Sequence, residues 1–135
     1  MKDKILIVAS NYYKEISDNL ICGSKQHLIE NNFQYETIYA PGCFEVPILI
    51  NRNIKNYKGF IALGCVIRGE TYHFEIISNE CGRAIMDLSI NYNKPIGFGI
   101  LTCDKYDQAL IRSDPNKKNK GKEAAIACLQ LLDII

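Results

Sequence analysis

Apolar residues follow two alternating patterns along this chain. Four short runs are almost continuously apolar, as expected for strands covered on both faces: residues 5–9, 35–40, 59–67 and 95–102. Between the runs, apolar residues recur every three or four positions, which is the spacing of one helix face. That spacing is clearest in two sets, Ile16, Leu20, Ile21 and Leu28, and then Phe74, Ile77, Cys81, Ala84, Ile85 and Leu88. The pattern therefore predicts strands that alternate with helices.

Two further segments have weaker signals. Residues 43–56 carry several apolar side chains without a clear period, and Pro47 fits a helix there only in its first turn. Residues 121–135 have helical spacing and predict a last helix. Because no linker, internal repeat or low-complexity tract interrupts the sequence, we expect a single domain over residues 1–135.

Alternating strands and helices indicate a particular architecture. They form right-handed βαβ units, which build a parallel sheet covered by helices on both faces. The prediction is an α/β fold, a flavodoxin-like three-layer αβα sandwich with a four-stranded parallel sheet. Ligands of such sheets bind outside the carboxyl ends of the strands. That rule selects residues 10–13, 41–45, 66–73 and 102–104.

Composition narrows the functional classes. A formal net charge of +1 provides no general electrostatic field that would attract nucleic acid. The lysines at 117, 118, 120 and 122 form either a solvated loop or part of a phosphate site. Six isolated cysteines indicate free thiols used as small core residues in a reducing compartment, rather than disulfides or a metal site. The apolar run at residues 5–9 is too short for a signal peptide, and no stretch could span a bilayer. We expect a cytoplasmic protein without a metal, a membrane or a nucleic-acid partner.

The third strand end carries the most informative residues. Gly69 would let the backbone approach a ligand closely, and Thr71 precedes the long amphipathic helix. The first N–H groups of that helix have no partners within it, so with the Thr71 hydroxyl they could hold a phosphate. His73 would lie within reach, and histidine can accept or relay a proton near neutral pH. The alternative is an ordinary capped helix start with a surface histidine.

The first two strand ends offer weaker signals. Glu45 lies among apolar residues, where its carboxylate could accept hydrogen bonds from a sugar-like chain or only cap a helix. Tyr12 or Tyr13 could stack on a planar ring, although aromatic residues more often simply pack.

Taken together, these segments resemble the lumazine synthase family, which makes 6,7-dimethyl-8-ribityllumazine in riboflavin biosynthesis. The resemblance runs nearly end to end. Four blocks carry it in order: residues 41–47 (PGCFEVP), residues 64–71 (GCVIRGET) with His73 and Phe74, residues 95–102 (PIGFGILT), and Asn119-Lys120-Gly121 with Glu123-Ala124-Ala125.

The resemblance implies a condensation of 5-amino-6-ribitylaminouracil with 3,4-dihydroxy-2-butanone 4-phosphate. Phosphate and water are released, and no metal or redox cofactor takes part. It implies that His73 shuttles protons during imine formation and phosphate loss. It also implies a set of substrate-binding residues. Tyr12 would contact the pyrimidine, Phe44 and Glu45 the ribityl chain, and the backbone of Val66 and Ile67 the ring. Gly69, Glu70, Thr71 and Arg112 would hold the phosphate, and the set further includes Cys43, Phe98 and Lys120.

The family pattern also bears on assembly. In it a neighbouring subunit supplies Phe98, Arg112 and Lys120, so a lone subunit would hold half a site and we expect pentamers. The family's 60-subunit shells usually have an extra strand ahead of the first one, and residues 1–4 leave no room for it. We therefore expect a pentamer or a pair of pentamers. Riboflavin synthase is a further candidate partner.

Several residues depart from the family pattern. Tyr12 stands where phenylalanine or tryptophan is usual. Ile111 occupies the position before the arginine, where an acid is often found. Asn116 occupies a position where a lysine is frequent, and Lys117 follows it. The changes at 111 and 116 concern phosphate binding and leave a noncatalytic ribityl- or flavin-binding protein as one alternative. A flavodoxin-type electron carrier is a second alternative on fold alone, although residues 10–13 lack a serine-, threonine- and glycine-rich phosphate loop.

Overall fold

The computed structural model describes residues 2–134. Its strands and helices alternate along the chain as the apolar pattern predicts, with the bounds β1 Lys2–Ser10, α1 Lys14–Glu30, β2 Tyr35–Ala40, α2 Val46–Arg52, β3 Tyr57–Ile67, α3 His73–Tyr92, β4 Ile96–Cys103, α4 Tyr106–Ser113 and α5 Lys120–Asp133. A 3-10 turn, Cys43–Glu45, leads into α2. Met1 and Ile135, which belong to the predicted N-terminal segment and to the predicted last helix, lie outside the described residues.

The four strands form one parallel sheet in the order β2-β1-β3-β4. In register, Ser10 at the end of β1 pairs with Ala40 at the end of β2, and Ile67 at the end of β3 pairs with Cys103 at the end of β4. The carboxyl ends of the strands therefore meet at one edge of the sheet. This confirms the predicted three-layer α/β sandwich with a four-stranded parallel sheet.

Each face of the sheet is covered by its own hydrophobic cluster. Side chains alternate between the two faces of a strand, so neighbouring residues of β1 join different clusters. Ile7 packs in the cluster that contains Leu20 of α1 and the apolar face of α5, whereas Val8 packs in the cluster that contains Ile85 of α3. This two-sided burial explains why the strands have nearly continuous apolar sequences.

Two glycines allow close packing around α5. A Cβ on Gly97 of β4 would lie 1.9 Å from the carbonyl oxygen of Ala124, and one on Gly121 would lie 2.1 Å from the carbonyl oxygen of Leu20. Any side chain at either position would collide with backbone. Helix α5 therefore lies close against β4 and α1, and this fixes the position of Lys120, its first residue.

Two details differ from the sequence expectations, α4 and Cys22, and the position of Pro47 agrees with them. The apolar pattern does not predict α4, because this eight-residue helix buries only Ala109 and Ser113. Pro47 lies in the first turn of α2, as expected. Cys22 is exposed on α1, although the cysteines were expected to serve as core residues, and the other five are buried. Among residues 2–134 no helix has the length and apolar character needed to cross a membrane.

Candidate active site

A cleft of about 380 Å³ opens at the carboxyl ends of β1, β2 and β3. The sequence predicted four strand ends as candidate ligand sites, and three of them contribute to this cleft. The fourth, residues 102–104, does not. Its lining consists of Tyr12, Tyr13, Pro41, Gly42, Cys43, Phe44, Glu45, Cys65, Val66, Ile67, His73 and Ile77. The volume and the largely apolar lining with a few polar groups are typical of a small-molecule site.

The turn before α3 places the histidine at the cleft. His73 is the first residue of the helix, and its backbone N–H donates to Thr71 Oγ1 over 3.4 Å. A Cβ on Gly69 would meet no atom within 4 Å, so the space beside the turn is open. Gly69, Glu70 and Thr71 are exposed and lie outside the cleft lining. The turn thus offers free space and a helix N-terminus next to His73, as an anion site requires.

The 3-10 turn after β2 positions three of the predicted binding residues. Cys43 is buried on the cleft floor, where its Sγ would lie 2.7 Å from a Cβ at position 64, so glycine is needed there. The Cys81 thiol donates to the Cys43 carbonyl oxygen over 3.3 Å, and burial raises the pKa of the Cys43 thiol to about 11. Cys43 is therefore a neutral floor residue. Phe44, which is 53% exposed, and Glu45 stand at the rim.

Two tyrosines, Tyr12 and Tyr13, also line the cleft. Tyr12 is 71% exposed, and its ring lies edge-on to that of Tyr13 with 4.9 Å between the centroids. The Tyr13 ring in turn lies 6.0 Å from that of Tyr106 on α4, whose hydroxyl donates to Glu15 over 3.3 Å. Burial and the neighbouring Tyr12 raise the pKa of Tyr13, so its phenol stays neutral. Both tyrosines line the cleft, and Tyr12 has the more exposed ring for stacking.

Arg68 lies at the start of the turn that leads to His73, and the sequence pattern predicted no role for it. Its backbone N–H donates to the Cys103 carbonyl oxygen over 2.9 Å, and its Nε donates to Asp104 Oδ1 over 2.8 Å. Its Nη1 donates to the Glu75 carboxylate, and the guanidinium carbon lies 4.4 Å from the centre of the Phe74 ring. The hydrogen bonds to Asp104 and Glu75 raise the pKa of Arg68. The family block at residues 64–71 contains this arginine, but nothing in the sequence indicates its hydrogen-bond partners.

The remaining predicted residues lie elsewhere. Phe98, Arg112 and Lys120 line a second cavity of about 450 Å³ along β4, an edge strand of the described sheet. No residue lines both cavities. Arg112 Nη1 donates to the Gln108 carbonyl oxygen of its own helix, and Lys120 pairs with Glu123 over 3.3 Å. In the part of the chain that the structure describes, no carboxylate forms an ion pair with Arg112.

The predicted site residues thus fall into three groups in one subunit. Seven line the cleft, three line the cavity along β4, and three form the exposed turn. The cleft group is Tyr12, Cys43, Phe44, Glu45, Val66, Ile67 and His73, the β4 group is Phe98, Arg112 and Lys120, and the turn is Gly69, Glu70 and Thr71.

The chain is similar to known proteins over nearly its whole length. A family model described as 6,7-dimethyl-8-ribityllumazine synthase matches residues 2–135. A protein of that name from Bartonella tribocorum is 45% identical over 134 residues, which cover 97% of this chain and 89% of the relative. One from Novosphingobium aromaticivorans is 46% identical over 131 residues, covering 96% and 94%. One from Zymomonas mobilis is 44% identical over 133 residues, covering 97% and 95%.

Proposed function

The chain belongs to the 6,7-dimethyl-8-ribityllumazine synthase family, and on that premise we propose that its reaction takes place in the cleft at the carboxyl ends of β1, β2 and β3. The enzyme is a transferase of riboflavin biosynthesis that condenses 5-amino-6-ribitylaminouracil with 3,4-dihydroxy-2-butanone 4-phosphate. One observation carries the assignment of the site. Tyr12, Glu45 and His73 follow three different strands, and all three line this cleft.

The cleft suits the ribitylaminouracil substrate. The exposed ring of Tyr12 would stack on the pyrimidine. Val66 and Ile67 end β3 and line the cleft, where their backbone groups would contact the ring. The Glu45 carboxylate would accept hydrogen bonds from the ribityl hydroxyls, with Phe44 packed beside that chain.

Phosphate binding and proton transfer would take place at the turn before α3. Residues 69–71 and the N-terminus of α3 would hold the phosphate of the second substrate. The amine of the pyrimidine attacks the carbonyl carbon of that substrate, and the carbonyl oxygen leaves as water when the imine forms. His73 would take a proton from the attacking amine and return one to the departing oxygen. Because the substrate itself supplies the nucleophile, holding the two substrates in register contributes much of the acceleration, up to about 7–11 kcal/mol in favourable cases.

We propose that Phe98, Arg112 and Lys120 complete the cleft of a neighbouring subunit in a homopentamer. Their cavity shares no lining residue with the cleft. Phe98 is 48% exposed, and Arg112 has no carboxylate partner among residues 2–134. An exposed aromatic ring beside an arginine that pairs with no carboxylate of the described residues fits a surface that another copy covers. Repeating one such contact around a ring gives identical shared sites.

We further propose that residues 1–135 act as one domain in the cytoplasm, and that riboflavin synthase associates with the assembly. Co-purification of the two proteins at low salt tests the association, and fractionation of cells tests the location.

The proposed reaction is tested by mixing both substrates with the purified protein. Lumazine fluorescence and released phosphate should rise together in equal amounts, and neither should appear when one substrate is omitted. The chain has no tryptophan, so its own emission interferes little. Absence of product together with tight riboflavin binding would favour the noncatalytic alternative. Native mass spectrometry tests the ring, and fully active monomers would contradict it.

A further inference from the structure

The turn at residues 68–72 has little to hold it in place. It has no regular secondary structure, and all five residues are exposed. The residue that caps α3, Tyr72, makes no side-chain capping hydrogen bond, and the space beside Gly69 is open. A phosphate site nevertheless needs its N–H groups in fixed positions, because a misplacement of about 1 Å can cost two orders of magnitude in rate.

Arg68 supplies the missing constraints. Its backbone N–H and its Nε connect the start of the turn to the end of β4, through Cys103 and Asp104. Its Nη1 reaches Glu75, and its guanidinium packs on Phe74, so the same side chain holds the first turn of α3. One residue thus ties both ends of the turn to each other and to the neighbouring strand.

Charge gives Arg68 a second effect. One guanidinium faces the carboxylates of Asp104 and Glu75, so the three groups carry a formal charge of −1. Arg68 therefore has no spare positive charge to offer a phosphate. If Arg68 were removed, two unpaired carboxylates would stand beside the site of an anionic substrate and would repel it.

We propose that Arg68 is a positioning residue for the phosphate-binding turn. It fixes residues 69–73 and offsets part of the negative charge of Asp104 and Glu75 without touching the substrate. The identity of the ligand as a phosphate ester rests on the proposed function, whereas the effect on the turn does not.

The experiment compares Arg68→Gln and Arg68→Lys with the control Arg83→Gln. Arg83 also pairs with two carboxylates, Glu80 and Asp87, but it lies further along α3 and outside the cleft lining. In Arg68→Gln, the KM for the butanone phosphate and the Ki of inorganic phosphate should rise about 10- to 100-fold, because charge-assisted bonds orient the site. The KM for the amine substrate should change less than about twofold. Arg68→Lys should recover part of the loss, since it keeps the charge but not the planar fork.

Hydrogen exchange provides a readout that does not depend on activity. Amides of residues 69–75 should exchange faster in Arg68→Gln than in the wild-type protein. In Arg83→Gln their exchange rates should be the same as in the wild type. Unchanged exchange in Arg68→Gln would overturn the proposal, and so would equal rises in both KM values or the same changes in the control. If the wild-type protein makes no lumazine, the proposed function fails while the exchange result still decides the role of Arg68. Should Arg68→Gln not fold, Asp104→Asn removes one of the two ion pairs and should accelerate exchange of the same amides to a smaller extent, and unchanged exchange there would overturn the proposal.

Discussion

Two impaired variants should restore each other's activity if the site is shared between subunits. The first variant, His73→Ala/Glu45→Ala, changes only the cleft, and the second, Arg112→Ala/Lys120→Ala, changes only the cavity along β4. Because no residue lines both cavities, each variant keeps one half of the site intact. A mixed ring then contains some sites in which an intact cleft of one subunit meets the intact cations of the next.

The amount of activity that the mixed ring recovers follows from the division of each site between two subunits. Removing both cations should lower kcat/KM about 10²- to 10⁴-fold, since each charge-assisted bond to phosphate contributes roughly one to two orders of magnitude. Loss of the proton shuttle and of the ribityl contact should have an effect of similar size, about 10²- to 10⁴-fold. In a ring assembled at random from equal amounts, about one quarter of the sites combine two intact halves. The mixture should therefore reach about a quarter of the wild-type activity, far above either variant.

The assay denatures the two variants together, refolds them and follows lumazine fluorescence, while native mass spectrometry verifies that mixed rings form. The control is a chain that carries all four substitutions, refolded with an equal amount of wild-type chain. A shared site predicts about a quarter of the wild-type activity for this control as well, whereas a site within one subunit predicts about a half. Mixed rings of the two variants that remain as inactive as their parents would refute the division of the site.

Four further outcomes follow from the structure. His73→Ala should slow turnover about 10²- to 10³-fold without abolishing it, because orientation of the substrates persists, and complete inactivity in a folded ring would contradict this. Gly97→Ala should lower the free energy of unfolding in urea by at least about 1–3 kcal/mol, since its Cβ would lie 1.9 Å from the Ala124 carbonyl oxygen, and an unchanged midpoint would show that the backbone yields easily. Ellman's reagent should modify Cys22 rapidly and the five buried thiols only after unfolding, and rapid reaction of several thiols would disprove their burial. Burial raises the pKa of the Cys128 thiol from 9.0 to about 12, so the unfolded chain loses this proton at lower pH than the folded chain. The free energy of unfolding should therefore decrease as the pH rises through that range, and the decrease should be shallower in Cys128→Ala.

The local sequence pattern predicted most elements because each strand is buried on both faces and each long helix on one. β2 begins and ends at the predicted residues, and the other strands differ by a few residues at their ends. Helix α4 escaped prediction because it is short and buries only two side chains. The exposed position of Cys22 was missed because it directly follows the apolar pair Leu20 and Ile21 in the sequence, whereas in the structure it lies on the outer face of α1.

The sequence by itself determined the order of strands and helices, the strand ends that carry polar and aromatic groups, and the family, because all of these depend on residues close together along the chain. Only the tertiary structure decided which of those residues meet. The sheet order places β4 at an edge, and so Phe98, Arg112 and Lys120 line a cavity apart from the cleft that holds His73. The same three-dimensional packing brings Asp104 to Arg68 across 36 residues, a contact that no local pattern specifies.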